Sequence, residues 1–279
     1  MTIAAEPVAS SSAAKRCLDN VGRSILTLIQ PPRIHTQMPW LPPQWALAAA
    51  VALGLFLFGM IFIDARTTAA VLRLPHWVAS SFDAVTDYGK SGYFLWPLGL
   101  IFLALCALHP LSSQIQQRVL GAVMVRVGFL FAAIALPSLF DTIIKRLIGR
   151  ARPMVESGHP DPYLFSPFIW RNDYASLPSG HATTAFAVLV AFSTLWPRTR
   201  TIFLVYAFLI AISRVVVTAH YPTDVAAGAL VGTVGALMVR RWFALRRLGC
   251  SLRPDGSVHH YPGPSLKRIK AIARALLAD

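Results

Sequence analysis

Long apolar runs constrain this chain more than any other feature. A helix needs about 20 mostly apolar residues to cross the hydrocarbon of a bilayer. The sequence holds six runs that approach that length: Trp45–Ile63, Tyr93–Leu108, Val119–Ile144, Ala182–Trp196, Thr201–Ala219 and Val225–Phe243. The second and fourth are short. Composition agrees with a membrane reading: 55% of residues are hydrophobic and 14% charged, with a mean hydropathy of +0.55. A soluble domain would carry about 25% charged residues. Trp45, Tyr93, Trp96, Trp196 and Trp242 fall near run ends, as interfacial aromatics do. The expected fold is all-α, a six-transmembrane-helix bundle. The domains expected are a cytoplasmic tail over 1–40, the six-span domain over 41–247 and a basic amphipathic tail over 248–279. The first long run begins too far along for a cleaved signal, so none is expected.

Lysine and arginine set the orientation. The stretch before the first run carries Lys15, Arg16, Arg23 and Arg33. The second-to-third link carries Arg118, and the fourth-to-fifth link carries Arg198 and Arg200. The C-terminal region carries Arg240, Arg241, Arg246, Arg247, Arg253, Lys267, Arg268, Lys270 and Arg274. With six spans all of these share one side, expected to be cytoplasmic. Residues 64–92 and 145–180 then lie outside. The segment "PSLKRIKAIARALLA" places Leu266, Ile269, Ile272 and Leu276 at helical spacing, which suits a helix on an anionic leaflet. "TTAAVLRLPHWVASSFDAV" reads as a similar anchoring or packing segment on the outer side.

The outer loop breaks the charge rule. Lys145, Arg146, Arg150 and Arg152 crowd the end of the third run in "IKRLIGRARP". A collar in contact with headgroups is one reading; an anion site is the other. Two more segments reach the same side. "PSGH", Pro178 to His181, opens the fourth run. "SRVVVTAHYPTD", Ser213 to Asp224, joins the fifth to the sixth. One helix goes in and the next comes back, so His181 and His220 return to a single face.

Such a set can handle phosphate. Lys145, Arg152 and Arg214 supply positive charge and guanidinium forks. Ser179 and Gly180 stand where a helix begins, and free N–H groups there favour an anion. Asp224 lies within reach of the His220 ring, and a carboxylate on one ring nitrogen leaves the other free to attack. His181 is placed to protonate a departing oxygen. A zinc site from His181, His220 and Asp224 is the alternative, though the surrounding cations favour an anion. His35, His76, His109, His159, His259 and His260 read as packing or interface residues. Cys17, Cys106 and Cys250 are too scattered for a disulfide framework or a zinc motif.

"KRLIGRARP", "PSGH" and "SRVVVTAHYPTD" resemble the three signature motifs of the type 2 phosphatidic acid phosphatase superfamily, which also contains vanadium haloperoxidases. The resemblance covers 145–224 directly and every motif position is filled. It implies a metal-independent phosphohydrolase with a phosphohistidine intermediate and no cofactor. His220 resembles the nucleophile, Asp224 its orienting carboxylate and His181 the general acid. Lys145, Arg152, Ser179, Gly180 and Arg214 resemble the phosphate-binding set. The expected function is hydrolysis of a lipid phosphate or diphosphate at the extracytoplasmic face of a bacterial inner membrane. The partners are then the lipid substrate and the bilayer, with no nucleic acid. The apolar, aromatic loop 154–177 is suited to line a headgroup entrance. Two alternatives stand beside this. A haloperoxidase would hold vanadate in the same pocket, although that branch is soluble. A non-catalytic membrane protein would keep only the pocket.

Overall fold

The computed structural model of the chain describes residues 12–34, 43–108, 113–155, 160–253 and 255–278. The fold is all-α with one small hairpin. In chain order the elements are α1 (Ala13–Ile29), α2 (Pro43–Phe62), α3 (Asp64–Val71), α4 (His76–Thr86), α5 (Gly92–Ala107), α6 (Gln114–Ile148), α7 (Gly180–Leu195), α8 (Arg200–Val216), α9 (Pro222–Leu245), β1 (Cys250–Leu252), β2 (Val258–His260) and α10 (Leu266–Ala278). A short turn of 3-10 helix, Asp87–Gly89, links α4 to α5.

The expected six spans are not all found. Among the described residues, four segments are long and apolar enough to cross a membrane: His76–Ala107, Gln114–Ile148, Pro197–Val216 and Pro222–Leu245. A fifth is gained if Ala46–Phe62 and Asp64–Val71, bent by 46° at Ile63, form one span. The fourth expected span is α7, which has only 16 residues, about 24 Å of helix. Its shortness has a packing counterpart. Ala182, Thr183, Thr184, Ala185, Ala187, Val188, Ala191 and Thr194 are buried, so protein rather than lipid surrounds much of α7. By contrast α6, at 35 residues and about 52 Å, outruns the hydrocarbon. The interfacial reading of Tyr93, Trp96, Trp196 and Trp242 matches their exposure. His35, His109, His159 and the side chain of Trp45 lie outside the described residues.

The chain falls into two compact units, Met1–Arg33 with Pro97–Gly128 and Phe243–Asp279, and Ile34–Trp96 with Phe129–Trp242. In the first, α1 is tied to the end of α5: Asn20 Nδ2 donates to the Cys106 carbonyl at 2.7 Å and Arg16 Nε to that of Ala107 at 3.3 Å. The hairpin pairs Cys250 with His260 and Leu252 with Val258. Ile272 of α10 is buried against Val119 and Leu120 of α6, while Leu266 and Ile269 are exposed. The apolar stripe of α10 is therefore shared between protein and surroundings.

In the second unit, α7 packs on α8 through Ala185, Ala207 and Ile210, with Phe192 and Phe203 rings 4.7 Å apart. Against α9 the contact is backbone to backbone. A Cβ on Gly228 would sit 2.4 Å from the Ser179 carbonyl oxygen, and one on Gly232 would sit 2.2 Å from that of Thr183. Small residues four apart let two helices approach this closely in a membrane. The close approach fixes the start of α7 beside α9, which matters for the site. Gly228→Ala is expected to push Ser179 away and to destabilise the protein by about 1–3 kcal/mol, as overpacking does. Thermal unfolding in detergent measures this, and an unchanged midpoint would refute the close-packing account.

Candidate active site

All the residues singled out from the sequence lie at element ends in the second unit. Lys145 stands near the C-terminal end of α6. Gly149 ends that helix with φ +63°, a left-handed conformation open to glycine. A Cβ there would collide with the Ser166 carbonyl oxygen at 1.9 Å. The turn sends Arg150 inward and Arg152 onward. The Arg152 N–H is fixed to the Asp173 carbonyl at 2.8 Å. Ser179 precedes α7, and its N–H donates to the Asp224 carbonyl at 2.9 Å. His181 lies in the first turn of α7, Arg214 in the last turn of α8, and Asp224 in the first turn of α9.

The four basic residues of "KRLIGRARP" do different things. Arg146 faces outward, donating to Asn172 Oδ1 at 2.8 Å with its guanidinium 5.9 Å from the Trp170 ring centre. Arg150 is fully buried and held by carboxylates. Lys145 pairs with the buried Asp141 at 2.5 Å, and Asp141 also accepts from Thr183 Oγ1 at 3.2 Å. Arg152 Nε is buried with no hydrogen-bond partner among the described residues.

That last property recurs across the site. Ser179 Oγ, His181 Nε2 and Arg214 Nε are also buried without a partner among the described residues, whereas Arg214 Nη1 donates to Thr86 Oγ1 at 2.8 Å. A buried polar group without a partner costs about 1–3 kcal/mol. Four of them, on three segments (the link after α6, the start of α7 and the end of α8) and mostly donors, form a set able to surround an anion. Gly180 shares the pocket wall: a Cβ there would lie 3.0 Å from Lys145 Nζ.

His220 is buried, in the link between α8 and α9. Its Nδ1 is 2.8 Å from the Ser176 carbonyl oxygen. A carbonyl only accepts, so Nδ1 carries the proton and Nε2 is left bare. The Asp224 carboxylate is 3.9 Å from Nδ1, too far for a hydrogen bond. Its bonds go elsewhere: Ser176 Oγ at 2.6 Å, the Tyr221 N–H at 3.0 Å and Arg150 Nη1 at 2.6 Å. The direct carboxylate–histidine contact expected from the sequence is thus replaced by a two-step link through Ser176. Burial first, and then the nearby charges of Arg214, Arg152 and Lys145, hold the His220 imidazole well below the ordinary histidine range. It is neutral at pH 7.

Asp64, Thr86, Asp141 and Ser176 were not singled out from sequence, and Arg150 only as one of a basic cluster. For Asp64 and Asp141 a signal was present. Each is an acid inside an apolar stretch, "IFIDAR" and "SLFDTI", and ionisable residues there mark functional regions by default. Among the described residues, no three His, Cys, Asp or Glu side chains are grouped to hold a metal ion.

Residues 126–248 match the PAP2 superfamily. The chain is 32% identical over 217 residues to the lipid A 1-phosphatase of Rhizobium johnstonii, covering 77% of this chain and 87% of that one. It is 31% identical to the lipid A 1-phosphatase of Rhizobium etli, covering 77% and 92%. The crystal structure of Aquifex aeolicus LpxE aligns with a TM-score of 0.46 and 23% identity, over 64% of this chain and 95% of that one. With a relative of this identity and coverage, and the matched segment spanning all three motifs, this integral membrane chain belongs to the PAP2 superfamily.

Proposed function

We propose that the protein is a phosphatase that removes phosphate from a membrane lipid at the extracytoplasmic face, through a phosphohistidine on His220. One observation carries the reading: Arg152 Nε, Ser179 Oγ, His181 Nε2 and Arg214 Nε are each buried without a partner among the described residues, and their side chains flank a neutral histidine with a bare Nε2. In this reading Lys145, Arg152, Ser179, Gly180 and Arg214 bind the phosphate oxygens. The His220 Nε2 lone pair attacks phosphorus, and the bond from phosphorus to the lipid oxygen breaks. His181 gives that oxygen a proton, and a phosphate dianion beside His181 favours its charged form. Water then attacks phosphorus, His181 takes the water's proton, the P–N bond breaks and inorganic phosphate leaves. The transferring group stays among fixed donors throughout. No step requires a metal, and no cofactor is proposed.

The position of the pocket and the names of the relatives support a lipid phosphate as the substrate class. The pocket residues sit at or beside helix ends, where a lipid headgroup is reached in this reading. Phe168 and Trp170 of the adjoining loop are 73% and 84% exposed and suit the interface. A lipid's chains can then stay in the bilayer while the phosphate enters. Among lipids, the 1-phosphate of lipid A is the first candidate, from the names of the relatives. Phosphatidic acid, phosphatidylglycerophosphate and an isoprenyl diphosphate come next.

Phosphate release from purified protein in detergent, with chelator present, tests the reading. The lipid substrates are expected to exceed glucose 6-phosphate and a short-chain ester in kcat/KM by about 100-fold or more, the scale gained when anchoring raises the effective concentration of a group at its site. Water-soluble esters matching the best lipid would show the helices to be only an anchor. Activity lost to chelator and restored by zinc or magnesium would reinstate the metal alternative. For orientation, a reporter fused after Arg247 is expected to read the cytoplasm. An extracytoplasmic signal there would invert the topology and move the site to the inner face.

A further inference from the structure

Arg150 belongs by sequence to the basic cluster that faces the anion pocket, yet its side chain goes the other way. It is fully buried. Its Nη1 donates to Asp224 Oδ1 at 2.6 Å and to Thr223 Oγ1 at 2.8 Å. Its Nη2 donates to Asp64 Oδ2 at 2.7 Å, and its Nε to the Pro162 carbonyl at 3.1 Å. Its guanidinium lies 4.5 Å from the Tyr221 ring centre. All three guanidinium nitrogens are engaged, by four of the five N–H groups, and the buried fork is aimed at carboxylates rather than at a phosphate.

Asp64 completes the arrangement from a distant part of the chain. It opens α3, just past the 46° bend, and is fully buried. Besides Arg150, it accepts from the Thr223 N–H at 3.1 Å and from Thr223 Oγ1 at 2.5 Å. Asp64 and Arg150 therefore grip two consecutive residues of α9, Thr223 and Asp224. Asp224 in turn takes the Ser176 hydroxyl at 2.6 Å, and the Ser176 N–H donates to the Arg150 carbonyl at 3.0 Å. Ser176 then presents its own carbonyl to His220 Nδ1 at 2.8 Å. The path from Asp64 to the His220 ring is an unbroken run of buried hydrogen bonds.

We propose that Arg150 and Asp64 are positioning residues: by holding Asp224 and Ser176 they fix the tautomer and aim of His220, and they take no part in binding phosphate. The proposal rests on the reading of His220 as the nucleophile. A buried guanidinium between two carboxylates is costly to break from either side. Such a unit sets geometry more surely than a single exposed pair does. Outer hydrogen bonds that orient a histidine in this way change activity by about 10–100-fold when removed.

Three measurements on the full chain in detergent decide the matter. In the first, Asp64→Asn and Arg150→Lys are compared with Arg152→Ala for kcat on a lipid phosphate and for competitive inhibition by inorganic phosphate. The positioning variants are expected to lose about 10–100-fold in kcat while the phosphate inhibition constant stays within about twofold. Arg152→Ala is expected to weaken phosphate inhibition strongly. If Arg150→Lys weakens it in the same proportion as Arg152→Ala, Arg150 is a phosphate ligand and the proposal is wrong. In the second, Asp64→Asn is combined with Ser176→Ala. Because both act along one path, the double variant is expected to lose much less than the product of the single losses; a full product would contradict a shared path.

The third measurement is the nitrogen spectrum of histidine-labelled protein. The wild type is expected to show His220 as the Nδ1–H form alone, and Asp64→Asn to show a second tautomer. This readout needs no turnover, so it also covers a variant too inactive to assay, and Asp64→Asn keeps the shape of the side chain if Arg150→Lys fails to fold. A wild type that hydrolyses lipid phosphate, with Asp64→Asn unchanged in both kcat and spectrum, sinks the positioning role and leaves the phosphatase reading standing. A wild type inactive on every lipid phosphate, with the tautomer shift present, does the reverse.

Discussion

His220→Ala is expected to reduce turnover of the best lipid substrate by about 10⁴-fold or more, the scale seen when an enzyme loses its nucleophile. The size follows from the site. His220 Nδ1 is committed to the Ser176 carbonyl, so the bare Nε2 is the only basic nitrogen of this ring aimed elsewhere. Without it, water must attack a phosphate that remains held by the same cations, and only the binding contribution to catalysis survives. Phosphate inhibition of His220→Ala should accordingly persist. The pH profile adds a second reading. Burial and the charges of Arg214, Arg152, Lys145 and His181 depress the His220 imidazole well below its ordinary value. The attacking form must be unprotonated, so activity is retained as pH falls, and the acid limb of kcat/KM is expected below about 6.5. A residual activity within tenfold of wild type would remove His220 from the reaction, and an acid limb above 6.5 would show that the ring is not held neutral.

The second large effect is expected at Arg152. Its backbone N–H is anchored to Asp173 at 2.8 Å, so Arg152→Ala leaves the loop tied while deleting the guanidinium. One unit charge about 4 Å from another contributes about 4 kcal/mol at an effective dielectric constant near 20. One fixed donor at a developing oxyanion contributes about 10²–10³ in rate. Loss of about 10²–10³ in kcat/KM is therefore expected, with partial recovery in Arg152→Lys, which restores the charge but not the fork. The same change should move the acid limb upward. Arg152 is one of the positive neighbours that disfavour the His220 imidazolium, and removing it lets the ring protonate at higher pH. Kinetics across pH on the one variant measure both. A loss under about threefold, a fraction of one charge-assisted hydrogen bond, would place Arg152 outside the phosphate contact.

Much of the site was legible in the sequence because its chemistry resides in side chains of unusual type for their surroundings. Lys145, Arg152, His181, Arg214, His220 and Asp224 stand out against apolar runs, and reversal of successive helices returns them to one end. What escaped was carried by backbone and by context. The group nearest the His220 ring nitrogen is a carbonyl of Ser176, and every residue has a carbonyl. Arg150 and Arg152 are two apart and identical in type, yet the left-handed turn at Gly149 sorts one toward carboxylates and the other toward the pocket. Asp64 is 86 residues from Arg150, a separation that no local spacing reveals. The expected six spans are not confirmed, for a related reason. Run length presumes lipid on all sides, whereas α7 is short and enclosed by glycine-lined contacts to α9. The helix α1 and the 250–260 hairpin lie where charge and small residues read as tail.

The measurement that bears most directly on the central claim is capture of the covalent intermediate. Protein quenched during turnover of a lipid radiolabelled in the phosphate should carry an acid-labile, base-stable label that maps to the peptide containing His220. It should be absent from His220→Ala and should accumulate in His181→Ala if phosphorylation outlasts the loss of the water-activating group. Undiminished labelling of His220→Ala, or label mapping to another residue, would contradict a phosphohistidine at this position.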